Sequence, residues 1–174
     1  MSCLVRLSYL ILCLRDVYAN VMNEKNILEV HNLCISAVKD GEQRPLVENI
    51  SFSLEKGKVL GIVGESGSGK SITCYAITGL LNPNLRVSGG EVLFRQGDRV
   101  VNLTTLPEKH FRRLRGERIT MVFQEPMTSL NPVFTIGDQL DEVSFLHVPG
   151  ATKEIAKNRS IEMLNLVGIA MPER

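Results

Sequence analysis

Eight consecutive residues in this chain could do chemistry together: Gly64, Glu65, Ser66, Gly67, Ser68, Gly69, Lys70 and Ser71. The spacing Gly-x-x-x-x-Gly-Lys-Ser is that of a loop built to hold phosphate. Glycines at 64, 67 and 69 let the backbone turn tightly and bring its N–H groups against phosphate oxygens. Lys70 supplies a point charge for the β- and γ-phosphates of a nucleotide. Ser71 offers a hydroxyl to Mg²⁺, which takes few protein ligands and keeps several waters. Average residue usage produces the pattern by accident on the order of once in a hundred such chains or less.

A second candidate stands at Gln124, which closes the apolar run "RITMVF" (118–123) and precedes Glu125-Pro126. In a doubly wound sheet, ligands bind outside the carboxyl ends of the strands. A glutamine there can reach Mg²⁺ or orient a water near the γ-phosphate. A loop glutamine bonded to backbone is the other reading, and position alone leaves both open. Glu65 and Glu125 have the chemistry of a general base, but neither is assigned that role. His31, His110 and His147 are scattered without ligand companions, and the basic stretch "EKHFRRLRGER" (108–118) reads as a solvated face.

The elements around the loop follow from periodicity. "ILEVHNLCISAV" (27–38) alternates imperfectly and is rich in β-branched residues; "LVENISFSL" (46–54) alternates through Val47, Ile50, Phe52 and Leu54. Both are expected as strands, with "KDGEQRP" (39–45) as the turn cluster between them. "VLGIV" (59–63) is a short apolar run bounded by glycines, expected as a strand buried on both faces, and 118–123 is a further strand candidate. The loop should open a helix over 70–81, with Ile72, Ala76 and Leu80 at helical spacing. "GGEVLF" and "RVVNL" flank "RQGD" as a hairpin, and 106–116 is a short helix or ordered loop. Beyond Met127 the pattern turns helical. One helix covers 135–146 with Ile136, Leu140 and Val143 on one face, and another runs from Lys153 to Val167 with Thr152 as N-cap and Gly168 near its end.

Composition sets the limits. The chain has 174 residues, a net charge of +1 and 44% hydrophobic residues, enough for one globular domain and a partial second. That charge argues against nucleic acid as a partner. Cys3, Cys13, Cys34 and Cys74 lie far apart without a C-x-x-C pair, as expected of reduced structural thiols in a cytosolic protein. The apolar run Leu7–Leu14 is far short of the ~20 residues that span a bilayer. Residues 1–23 are expected as a poorly specified extension, with Met22 a candidate start; a short amphipathic helix is the other reading.

Residues 27–174 resemble the first part of an ABC-transporter ATP-binding subunit. "LVENISFSLEKGKVLGIVGESGSGKS" is similar to the opening of such domains. "MVFQEPMTSLNP" resembles the Q-loop of the branch serving dipeptide, oligopeptide, glutathione and nickel importers. The phosphate loop is shared by all P-loop proteins; the Q-loop string is far more specific. The fold implied is α/β: a P-loop NTPase of the ABC type, with an antiparallel β subdomain and the start of a helical subdomain. Residues 24–126 would form the ATP-binding core and 127–174 an incomplete helical subdomain. The resemblance gives Gln124 a role in contacting Mg²⁺ and the attacking water. The implied partners are membrane-spanning permease subunits, a second ATPase subunit and, indirectly, a substrate-binding protein, all at the cytoplasmic face of a bacterial inner membrane.

Two departures from the family pattern stand out. Where the family carries an aromatic residue that stacks on adenine, the aligned position here is Ala37, so nucleotide affinity is expected to fall; Tyr75 is expected to face elsewhere. No LSGGQ-type signature, Walker B carboxylates or switch histidine precede Arg174, so the chain reads as ending before the signature motif. The leading expectation is an ATP-binding subunit portion of a peptide importer. The alternative is an inactive remnant or interaction fragment of an interrupted transporter gene.

Overall fold

The computed structural model describes residues 22–123 and 130–173. The chain divides between Phe111 and Arg112 into two compact units.

The first unit is built on a four-stranded antiparallel sheet. Its strands are β1 (Asn26–Lys39), β2 (Glu42–Glu55), β3 (Leu85–Gln96) and β4 (Arg99–Asn102), in spatial order β2-β1-β3-β4. The turn between β1 and β2 is tighter than the expected cluster 39–45. Lys39 pairs with Glu42, so only Asp40 and Gly41 turn, at φ 51 and 83. Two positive φ values are what a type I′ turn demands, and Asp-Gly is the sequence that tolerates them. Pro45 therefore lies inside β2, which it can do because β2 is an edge strand. The expected second hairpin joins Gln96 to Arg99 across Gly97-Asp98.

The imperfect alternation of β1 has a physical cause. Asn32 sits at φ 48, and the pairing slips by one residue there against both neighbours. This is a bulge. Val30, Leu33 and Ile35 on β1 and Val92 and Leu93 on β3 still reach the core on either side of it.

Two expected strands are absent. Residues 59–63 and 118–123 form no ladder in the described structure, apart from a single bridge between Ile119 and Arg115. A strand is held by the hydrogen bonds of its neighbour, and the four-stranded sheet includes neither segment. Val59, Val63 and Val122 are accordingly more than nine-tenths exposed instead of buried.

Helix α1 (Lys70–Thr78) starts where expected but stops short of residue 81. Gly79 in the left-handed region ends it, and Leu80 N–H returns to the Tyr75 carbonyl at 2.8 Å. The buried face is Thr73 and Ala76, while Leu80 lies beyond the helix and is exposed. Helix α2 (Glu108–Leu114) follows β4, and the Phe111 ring lies against Gly79.

The second unit holds α3 (Ile136–His147) and α4 (Lys153–Leu166). Thr135 and Thr152 cap them, accepting from the backbone N–H of Asp138 and Ile155. The buried residues are small: Ser144 on α3, Ala156 and Ser160 on α4. Ser160 donates to the Asp141 carboxylate at 2.6 Å, linking the helices. Ile136 and Val143, expected with Leu140 on one face of α3, are each more than half exposed, while Leu140 is half-buried. Small residues carry the close contact instead.

A buried carboxylate anchors the start of the described chain. Glu29 is 5% exposed and accepts from Asn23 N–H at 2.9 Å, Asn26 Nδ2 at 2.6 Å and His31 Nε2 at 3.0 Å. Arg95 clamps the same turn, donating to the carbonyls of Met22, Asn23 and Asn26. Burial alone would raise the Glu29 pKa, but the bonds from Asn26, Asn23 and His31 together hold it below the ordinary 4.5. A carboxylate with a lowered folded-state pKa stabilises fully above its unfolded value and loses that contribution as pH falls through the folded one. Glu29→Gln should cost ~1–3 kcal/mol at neutral pH. It should also flatten the acid limb of a urea-denaturation series taken between about pH 3 and 6. An unchanged slope would assign acid sensitivity to other groups. In the second unit, Ser160→Ala should cost about 1–2 kcal/mol by stranding Asp141, read as a lower urea midpoint.

Candidate functional site

The glycine loop is shaped from below by the sheet. Gly69 is buried at φ 91, the residue immediately before α1. A Cβ placed there would lie 2.7 Å from the Val47 Cγ2 methyl, so only glycine fits. Val47 is buried on β2 directly beneath. Ser68 N–H bonds the Glu65 carbonyl at 3.2 Å, closing a turn over residues 65–68. At the other end of the turn, Thr73 donates its hydroxyl to the Gly69 carbonyl at 2.9 Å and fixes the first turn of α1.

Lys70 folds back over the loop it terminates. Its Nζ donates to the Gly64 carbonyl at 2.8 Å, the Glu65 carbonyl at 2.6 Å and Ser68 Oγ at 3.3 Å. All three ammonium donors are thus engaged by loop oxygens. The charge is held at the loop, not free in solvent. Ser71 is exposed in the first turn of α1. Residues 64–68 are exposed along their whole length.

The N-terminus of α1 differs from those of α3 and α4. No side chain caps it, and no acidic residue lies in its first turn. The other two have a threonine cap, with Asp138 and Glu154 respectively in the first turn. An uncapped N-terminus presents backbone N–H groups and a partial positive charge to whatever lies in front of it. Combined with Lys70, this arrangement can hold an anion through backbone donors.

Of the residues singled out in the sequence, Gly64 to Ser71 come together in one loop and helix start. Gln124 and Glu125 lie outside the described residues, as do Cys3 and Cys13. Cys34 and Cys74 are free thiols. Ala37 sits on β1 opposite Arg44 of β2. Two structural supports escaped the sequence reading. Val47 was seen only as a strand residue, although its contact with Gly69 sets the loop. Gln139 on α3 exchanges bonds with Asn131, its Oε1 accepting from Asn131 N–H and its Nε2 donating to the Asn131 carbonyl. It thereby ties 131–135 to the helix. Neither partner could be located without the fold.

With this geometry established, comparisons with known proteins place the chain. A family model described as ABC transporter matches residues 47–173. The chain is 46% identical over 149 residues to the oligopeptide transport ATP-binding protein of Bacillus subtilis (strain 168), covering 85% of this chain and 40% of that protein. It is 42% identical to the dipeptide transport ATP-binding protein of Lactococcus lactis subsp. cremoris (strain MG1363), covering 85% of this chain and 41% of that one. Identity is also 42% to the glutathione import ATP-binding protein of Salmonella paratyphi A, over 87% of this chain and 25% of that protein. Among solved structures, the dimeric ATP-binding cassette MJ0796 in a post-hydrolysis state bound to ADP and Pi superposes with a TM-score of 0.67. That match has 23% identity and covers 80% of this chain and 56% of that one. The chain spans less than half the length of these curated relatives. The fold is that of an ATP-binding cassette, and the chain, from β2 to the residues beyond α4, belongs to the ABC transporter family.

Proposed function

We propose that this chain is the phosphate-gripping portion of the ATP-binding subunit of an ABC importer, with peptides as cargo. The observation that carries this reading is the uncapped start of α1 behind a glycine loop, with Lys70 held over the loop oxygens. Gly64 to Ser71 would take the phosphates of ATP. The relatives support the cargo class, since their names describe oligopeptide, dipeptide and glutathione transport.

The residues present suit a metal carried in with the nucleotide. Among the described residues no group of three or more His, Cys, Asp and Glu could hold a metal by itself. Ser71 offers one exposed hydroxyl beside the phosphates, as a hydrated Mg²⁺ requires. When bound, the metal would neutralise phosphate charge. Gln124 would be its second protein ligand and the contact to the attacking water, on resemblance alone.

Permease subunits and a second ATPase subunit are the proposed partners, with a substrate-binding protein acting indirectly and nucleic acid not involved. The site of action would be the cytoplasmic face of the membrane, peripherally attached. Among the described residues no helix is long and apolar enough to cross a bilayer. Residues 24–126 would serve as the nucleotide core and 127–174 as part of the helical subdomain facing the permease.

Isothermal titration of the chain with ATP tests the grip. Lys70→Ala should weaken ATP binding by at least about tenfold, the worth of a charge-assisted hydrogen bond. Unchanged affinity would refute the assignment of this loop. Gly69→Ala should lower affinity and thermal stability together, by ~1–3 kcal/mol in stability. Adding Val47→Ala should recover part of the stability, because it removes the methyl that the new Cβ meets.

A further inference from the structure

We propose that two copies of this chain associate through residues 59–63, paired antiparallel about Gly61 as one short shared ladder. This association is independent of the nucleotide-binding reading above and needs no nucleotide.

The segment "VLGIV" has the composition of a strand and no neighbour. Among the described residues its backbone groups make no hydrogen bond, although both of its ends are fixed. On one side Lys58 N–H bonds the Glu55 carbonyl at 3.1 Å, and on the other Lys70 Nζ holds the Gly64 carbonyl at 2.8 Å. Five residues are thus strung between two anchors with their backbone unpaired. A row of unpaired strand groups is a template for another chain.

Outward from Gly61 the segment is symmetric in character. Val59 matches Val63, and Leu60 matches Ile62. Exposure has the same symmetry: Val59 and Val63 are 99% and 92% exposed, Leu60 and Ile62 42% each. That alternation is the one an extended chain produces, with 59, 61 and 63 toward one side and 60 and 62 toward the other. In an antiparallel pair related by a two-fold axis at Gly61, Val59 stands opposite the partner's Val63 and Leu60 opposite the partner's Ile62. Such an interface is isologous and closes on itself. Aliphatic pairs across the ladder contribute its side-chain packing. At the centre, a Cβ built on Gly61 would meet no atom within 4 Å, so the approach of a second backbone is unobstructed.

Charge permits the pairing and fixes its direction. The segment carries none, and the whole chain has a net charge of only +1, so little repulsion separates two copies. Lys56 and Lys58 precede the segment and Glu65 follows it, all exposed. Antiparallel pairing about Gly61 puts Lys58 opposite the partner's Gly64 and beside the partner's Glu65, at both ends of the ladder. Parallel pairing in register would set lysine on lysine and glutamate on glutamate, and like charges directly opposite are destabilising. A standard interface uses about 20–30 residues a side, so this one is weak, with a Kd on the order of 100 µM.

Sedimentation equilibrium without nucleotide or Mg²⁺, at about 5–500 µM chain, reads the association. A monomer–dimer equilibrium is expected, with hydrogen-exchange protection of amides 59–63 that rises with concentration. Val59→Lys alters an almost fully exposed side chain, so the monomer should keep its thermal stability while the dimer weakens at least about tenfold. Gly61→Cys tests the register. Opposed Cα atoms in an antiparallel pair lie about 4.5–5.5 Å apart, within disulfide reach, so mild oxidation should link two copies at residue 61. Val59→Cys should not link, because the two equivalent positions would lie about 13 Å apart along the ladder. The parent chain, oxidised alongside, accounts for the native thiols. Linkage at both positions, or at neither in a solution that dimerises, would overturn the antiparallel pair. A dimer that persists in Val59→Lys without protection at 59–63 would place the interface elsewhere. A chain that stays monomeric, with amides 59–63 exchanging freely, would overturn the proposal and leave the segment to a strand of another polypeptide.

Discussion

The structure of the site depends on one close approach, that of Val47 on β2 to the backbone at Gly69. Because a methyl group occupies the space where a Cβ would stand, residue 69 must be glycine. Its φ of 91 then sets the angle at which the chain enters α1. The position of Lys70 follows, one residue into the helix and able to bend back over residues 64–68. Beside Val47 the ladder slips by one residue, Ser36 pairing with Pro45 and Ile35 with Val47. A phosphate loop is usually described by its glycines. Here the antiparallel sheet decides what those glycines do.

How far the fold could be read from the sequence tracks the range of the interactions involved. Both hairpins were legible because Asp40-Gly41 and Gly97-Asp98 specify their turns locally. Helices α3 and α4 were legible from Thr152, the glycine breaks and a period near 3.6. The failures share a cause. The runs 59–63 and 118–123 have strand-like composition, but a strand exists only if a neighbour bonds to it, and no ladder in the described structure includes them. Apolar composition alone could not show that. The broken alternation at Asn32 had a meaning that only the register on both sides of β1 revealed.

The same distinction holds for the site. Gly64 to Ser71 could be found because the whole pattern is contiguous. Val47 could not, because its relation to the loop is fixed by the ladder register some twenty residues upstream. For Gln124 the sequence and the family resemblance remain the only basis, since it lies outside the described residues.

A comparison of the three longer helices supports placing the proposed anion site at α1. Every helix start leaves N–H groups without intrahelical partners. At α3 and α4 the chain satisfies them from within, with a threonine oxygen and a carboxylate in the first turn. At α1 it cannot use that solution, because the Val47 methyl leaves no room for a threonine or serine side chain at residue 69. The packing that excludes a cap also keeps the donors open. With no acid in the first turn to oppose an incoming anion, and with Lys70 bound to carbonyls instead of a carboxylate, the positive potential is not cancelled locally. One steric contact beneath the loop thus leaves the helix start available to an outside acceptor, and in the proposed function a phosphate would supply what the sequence is prevented from supplying itself.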